Sequence, residues 1–125
     1  MIIELIKDMR NPIIFLIFSL FTLSSYGQDI CSGNGEICVI QFNASFNVAN
    51  SVDWFGELTD CSTSEVDIMT NTELQKKYKI VVVPTILILD DGVEVARFQA
   101  NIMMTMESTR EEVQESIDEI IMSKF

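Results

Sequence analysis

The sequence predicts a single α/β domain built on a mixed sheet, with the element order β-α-β-α-β-β-α. Three observations point there. An apolar, β-branched run, Ile80-Val81-Val82-Val83-Pro84-Thr85-Ile86-Leu87-Ile88-Leu89, is split by a proline and followed by Asp90-Asp91-Gly92. Upstream, short apolar stretches alternate with polar, helix-forming ones. Near the end, Val113, Ile117, Ile120 and Ile121 fall at the i, i+4, i+7, i+8 spacing of an amphipathic helix.

The proline run defines the centre of the domain. Proline lacks an N–H and cannot serve the middle of a central strand, but it can begin one. Residues 86–89 are therefore expected as a strand, with Val83-Pro84 leading into it through a bond of the type that often adopts the cis form. Asp91-Gly92 marks a hairpin turn and residues 93–98 the returning strand.

The other elements follow in order. Residues 29–36 are turn-rich (Ser32, Gly33, Asn34, Gly35), and Cys38-Val39-Ile40-Gln41-Phe42 reads as a short buried strand. Residues 43–47 have no clear period and read as a loop. Asn50 or Ser51 can cap a helix, and Val52, Phe55 and Leu58, with Trp54 beside them, predict one over roughly 48–58. Trp54 is expected to be a core or half-buried packing residue. Residues 59–64 are polar and loop-like, and residues 65–69 alternate as a strand. Residues 72–78 carry good helix formers, and Thr109-x-x-Glu112 is a capping box for the terminal helix.

Composition narrows the function. One hundred and twenty-five residues allow one domain, and the net charge of −11 argues against nucleic acid or anionic membrane surfaces as partners. The chain has no histidine, which removes histidine general bases, Ser/His/Asp triads and histidine metal sites. No metal site and no cofactor is expected.

Residues 1–27 differ from the rest. Residues 13–23 are apolar except for Ser19 and Thr22, a length suited to a signal-peptide core and short for a membrane span. Ser25 and Gly27 supply small residues around a cut before Gln28. The alternatives are an uncleaved anchor, which would bring membrane contact, or a buried N-terminal helix. Cleavage would leave residues 28–125 as the domain. It would remove Glu4 and Asp8 along with Lys7 and Arg10, so the charge would stay at −11. An exported location, in the periplasm or cell envelope, is the expectation.

Export implies an oxidising compartment, where two of the three cysteines would pair. Cys31 and Cys61 both fall in loops at the end of the domain away from the proline, so Cys31–Cys61 is the favoured disulfide and Cys31–Cys38 the next. Three free thiols are the remaining alternative.

Residues 77–98, KYKIVVVPTILILDDGVEVARF, resemble the second half of a thioredoxin. There a tyrosine and a short apolar run lead into a cis-Pro-Thr, a buried strand and a glycine turn. The resemblance extends over residues 38–124 and implies the thioredoxin-like three-layer fold with cis-Pro84. It also locates the site. In this family Phe-x-Ala-x-Trp-Cys-x-x-Cys stands where the first strand meets the following helix, whose N-terminus lowers the thiol pKa. Here Phe42 and Ala44 match, Phe46 stands for the aromatic, and Asn47-Val48-Ala49-Asn50 replaces Cys-x-x-Cys. Many thioredoxins carry a buried aspartate before the strand phenylalanine. Gln41 stands there, and an amide is no general base at neutral pH.

The resemblance leaves the binding half of the site. In thioredoxins the backbone beside the cis-proline pairs with an extended peptide, an arrangement Val83 and Pro84 match. Ile102, Met103, Met104 and Met106, in the loop before the terminal helix, would join Phe46, Val48, Ala49 and Val83 on one apolar shelf. Methionine suits adaptable contacts, although packing under the terminal helix is the simpler expectation for that cluster. Glu107, Glu111, Glu112, Glu115, Asp118 and Glu119 read as a solvated face. Asn43-Ala44-Ser45 also fits a glycosylation sequon, a frequent triplet.

The function expected is thus that of an exported, redox-inactive thioredoxin-like domain that binds a protein or peptide partner, alone or as a subunit of an envelope complex. The alternative is a thiol-disulfide oxidoreductase using Cys31, Cys38 or Cys61.

Overall fold

The computed structural model of the chain describes Cys31 and residues 36–125. The leader expected over 1–27 and most of the turn-rich stretch after it lie outside the described residues. Four strands form one sheet: β1 (Ile37–Asn43), β2 (Ser62–Asp67), β3 (Thr85–Asp90) and β4 (Val93–Gln99), in the order β2-β1-β3-β4. Two helices accompany them, α1 (Thr72–Lys77) and α2 (Arg110–Met122). Among the described residues no helix is long and apolar enough to cross a membrane.

β1 and β3 are central because both of their faces are apolar. From Ile37 to Phe42 and from Thr85 to Leu89, every residue is at most 5 % exposed. On one face Ile37, Val39, Ile86 and Ile88 pack with Val52, Phe55, Leu58, Val113 and Ile117. Alternation sends Cys38, Ile40, Phe42, Leu87 and Leu89 to the other face, where Tyr78 meets Phe42 with ring centroids 5.8 Å apart.

β1 and β2, joined by the first crossover, run parallel, whereas β3 runs antiparallel to β1. The length of α1 explains the difference. Six residues of helix advance about 9 Å, roughly half the ~20 Å of a six-residue strand. That helix cannot return the chain to the start of the sheet, so β3 begins at the end where β2 finishes. The Val83–Pro84 bond is cis. The hairpin forms as expected, with Asp91 (φ 52°) and Gly92 (φ 82°) both left-handed between the paired Asp90 and Val93. β4 carries a bulge opposite Ile88 and Leu89.

The helix expected over 48–58 does not form. Two 3₁₀ turns, Ser45–Asn50 and Phe55–Glu57, take its place, and Asn47 has non-helical dihedrals inside the first. Asn, Ser, Val and Gly are weak helix formers, and the amides find partners off the helix ladder. Neither expected cap works as one: Ser51 Oγ accepts from Asn43, and Asn50 donates to Asn47. Val52, Phe55 and Leu58 are still buried, and their strict spacing of three is the 3₁₀ period. Trp54 packs half-buried against the same cluster.

β2 starts three residues earlier than the alternation suggests and ends at Asp67. Its polar start suits an edge strand. It stops because Asp67 turns the chain, its carboxylate accepting from Met69 N at 2.9 Å and its carbonyl from Asn71 N at 3.0 Å. α1 ends at Tyr78 as a cap. Thr109 caps α2 through Glu112 N at 3.2 Å, as the capping box requires.

The disulfide joins Cys31 to Cys38, in place of the favoured Cys31–Cys61, and Cys61 is a free, half-buried thiol. The sheet separates Cys38 of β1 from Cys61, which immediately precedes β2. Cys61 packs with the cluster of Ile37 and Val39, whereas Cys38, one residue from each, points to the opposite face.

Candidate partner-binding site

The end of β1, the first 3₁₀ turn, the cis-proline loop and the 101–105 loop meet at Asn47. Its side chain is only 4 % exposed. The Asn47 amide faces three oxygens: Asn43 Oδ1 at 3.1 Å, Met104 O at 3.2 Å and Val83 O at 3.4 Å. In return Asn47 Oδ1 accepts from Asn50 Nδ2 at 2.9 Å. Asn43 Nδ2 donates to Asn47 O and to Ser51 Oγ at 3.2 and 2.9 Å. The two asparagines that stand where the resemblance places cysteines are therefore joined to each other by a hydrogen bond. One of them also bridges the cis-proline loop and the 101–105 loop.

Gln41 is buried beneath the same turn at 1 % exposure. Its Oε1 accepts from Val52 N at 2.8 Å and its Nε2 donates to Glu65 Oε1 at 3.0 Å. Gln41 and Glu65 are direct partners across β1 and β2, so the bond joins neighbours on one face of the sheet. The amide fixes the chain after the turn. It has no proton to take or give in catalysis.

Val83 and Pro84 are buried, forming a floor rather than an exposed ledge. Thr85 Oγ1 donates to Val82 O at 2.6 Å, and Ala100 N to Pro84 O at 3.0 Å, so both sides of the proline are held. Upstream, Arg97 donates to Tyr78 O at 2.5 Å and Lys79 O at 3.1 Å, bracing the left-handed turn at Lys79 (φ 53°). Glu94 holds Arg97 from the other side, with contacts of 2.8 and 3.0 Å.

Apolar side chains flank this floor in the open. Phe46 is 67 % exposed, Val48 69 %, Ile102 97 % and Met103 75 %, while Met104 is at the margin with 38 %. Val81 and Ala49 are also exposed. The packing expected for the methionine cluster holds for Met106 alone, which lies partly buried against the core. Asn101 shapes the loop: its Oδ1 accepts from Met103 N, Thr105 N and Thr105 Oγ1 at 2.9 to 3.2 Å. Met104 sits left-handed at its tip (φ 59°).

Cys31 and Cys61 are not brought to this site. Burial pushes the Cys61 thiol up, and the Asp60 carboxylate beside it adds to the rise, which suppresses the thiolate. Among the described residues no group of His, Cys, Asp or Glu is arranged to hold a metal ion.

Sequence reasoning missed Asn43, Ser51, Glu65 and Asn101. Asn43 drew notice only through its sequon, and its role depends on the turn bringing Asn47 back over it. For Asn101, an asparagine at the end of a strand before a Met-rich stretch was the one available signal.

No family model matches the chain, and no curated protein matches it in sequence. Solved structures do. A thioredoxin from Fasciola hepatica is 26 % identical, with a TM-score of 0.52 over 70 % of this chain and 83 % of that one. A thioredoxin from Schistosoma mansoni gives a TM-score of 0.56 at 20 % identity, over 78 % and 86 % of the two chains. One from Nicotiana alata gives 0.51 at 20 % identity, over 70 % and 76 %. The four-stranded mixed sheet, its helices and the cis-proline between α1 and β3 thus form a thioredoxin-like fold.

Proposed function

We propose that this protein is an exported, non-catalytic thioredoxin-like domain that binds a protein or peptide partner on the apolar surface around cis-Pro84. The observation that carries the reading is the Asn47 amide. It is buried and hydrogen-bonded to Val83 O and Met104 O, at the position where an oxidoreductase of this fold needs an accessible thiolate. Gln41, engaged at both ends, supplies no proton relay. Exposed Phe46, Val48, Ile102 and Met103 support the binding half, since apolar residues gathered around one loop junction favour a partner. The Cys31–Cys38 disulfide fits an oxidising compartment, and residues 1–27 fit a leader or anchor. A subunit role in an envelope complex is one form of this reading.

The same disulfide favours the second reading, thiol–disulfide exchange through Cys31 and Cys38. An insulin-reduction assay separates the two. No turnover above the uncatalysed background is expected, and rates near those of a thioredoxin would sink the non-catalytic reading. Co-purification from native membranes should then recover the partner.

A further inference from the structure

Beside the apolar surface, on the β2 side of the first 3₁₀ turn, lies a cleft of roughly 430 Å³ lined by Asn43, Ala44, Val48, Glu65, Val66 and Asp67, among others. Val48 belongs to both: it is one of the exposed residues near cis-Pro84 and also a wall of the cleft. Glu65 and Asp67 lie two apart on the edge strand and share one face of it. Neither makes an ion pair with a described lysine or arginine, and no basic side chain lines the cleft among the described residues. The donors that reach their carboxylates are neutral: Gln41 Nε2 on Glu65, and Met69 N on Asp67.

We infer that the partner segment is basic: it lays apolar side chains on Phe46, Val48 and Met103 and places a lysine or arginine between Glu65 and Asp67. The inference rests on the partner-binding reading above and adds the chemistry of the partner. Charge complementarity selects this occupant. A second copy of the chain carries the same −11 and is repelled, and a polyanion is repelled more strongly. The cleft joins apolar walls to two carboxylates, a combination that suits the long apolar stem and charged head of lysine or arginine. Both arginines that follow β3, Arg97 and Arg110, are already engaged elsewhere. Arg97 is held by Glu94 and by the Tyr78 and Lys79 carbonyls, and Arg110 pairs with Glu111.

Selection of a random dodecapeptide library on the immobilised full chain tests this, with parallel selection on the Glu65→Gln/Asp67→Asn variant. Both substitutions keep the oxygen that accepts from Gln41 Nε2 or Met69 N, and circular dichroism checks the fold. The expected result is enrichment of peptides with lysine or arginine next to apolar residues. Each should bind the wild-type chain at least tenfold more tightly than the variant and weaken as salt is raised. Enriched apolar peptides that lack a basic residue, and bind both chains equally, would overturn the inference and leave the partner-binding reading standing. Failure to enrich any peptide on the wild-type chain would overturn both. Enrichment of acidic peptides would overturn the charge assignment alone.

Discussion

The Asn47 side chain donates to the carbonyl of Val83, the residue on the N-terminal side of the cis-proline, across 36 positions of sequence. Through the same amide it holds Met104 O, so one buried side chain sets the spacing of the two loops that frame the apolar surface. Asn47→Ala would leave Val83 O, Met104 O and Asn43 Oδ1 without this donor. The expected cost is about 1–3 kcal/mol, the usual penalty for buried polar groups that lose their partner. Asn47→Asp should cost more at pH 7, because a carboxylate would face those three oxygens. Burial and the facing oxygens would raise its folded pKa above the unfolded value. The excess penalty is therefore absent below the ordinary carboxylate range and grows as pH rises through the folded value. Denaturant melts of both variants at pH 4 and pH 7 check this.

Restoring the two cysteines should not restore an enzyme. In Asn47→Cys/Asn50→Cys the thiols would sit on a 3₁₀ turn with non-helical dihedrals at position 47, with no α-helix N-terminus to favour the thiolate. Gln41 would still offer no proton relay. Lacking general acid–base help, the variant is expected to reduce insulin on the order of 10²-fold or more below a thioredoxin. A rate within tenfold of a thioredoxin would show that the turn is competent as it stands.

Much of the fold was legible because its elements announce themselves locally. Pro84, Asp91-Gly92 and Thr109-x-x-Glu112 each impose one backbone solution, and each is realised. The failures are places where tertiary contacts decide. Spacing of three at Val52, Phe55 and Leu58 fits one face of a short α-helix as well as a 3₁₀ path, and only the anchoring of Val52 N by Gln41 and of Ser51 by Asn43 selects the latter. The disulfide was missed because loop position says nothing about sheet face, and Cys38 and Cys61 lie on opposite faces. At the site, the sequence showed that Asn47 and Asn50 lack sulfur. Their bond to each other depends on the turn.

The cysteine assignment has a direct chemical check. Iodoacetamide should label one thiol, Cys61, in the native protein, and all three cysteines after denaturation and reduction. Labelling should be slower than for an exposed cysteine at pH 8, because burial and Asp60 hold the thiol above its usual pKa. The sign for stability follows. A thiol whose folded pKa is raised favours folding in its neutral form, so its contribution is complete below the ordinary thiol range. It is lost as pH rises through the folded value. Intact-mass analysis at several pH values measures the labelling, and denaturant melts over the same range measure the stability.

Arg97 should matter more to the proline loop than its exposed ion pair suggests. Arg97→Ala removes the donors to Tyr78 O and Lys79 O and is expected to cost about 1–2 kcal/mol, whereas Glu94→Gln should cost under about 1 kcal/mol because the pair is largely solvated. The hydrogen bond from Arg97 is the main reason the Glu94 carboxyl lies below its usual range; burial opposes it, and the positive charge of Arg97 adds a lesser pull in the same direction as the hydrogen bond. The contribution of Glu94 is therefore present above the ordinary carboxylate range and lost as pH falls through the depressed folded value. Melting curves for wild type and Glu94→Gln should converge as pH falls below the ordinary carboxylate range; those for Arg97→Ala should stay apart from wild type.

The methionines separate surface from core within four residues. Met103 is 75 % exposed and Met104 38 %, whereas Met106 packs against the cluster around Val113 and Ile117. Met103→Glu/Met104→Glu should therefore leave stability within about 0.5 kcal/mol of wild type, as surface changes usually do. The same double change should abolish association with the native partner, since two carboxylates would replace the apolar contact. Met106→Glu puts a charge against the core and is expected to cost about 2 kcal/mol or more. Thermal melts and native co-purification, run on both variants, distinguish the outcomes. Unfolding of the double variant would place Met103 and Met104 in the core; a folded double variant that retains its partner would remove the 101–105 loop from the binding surface.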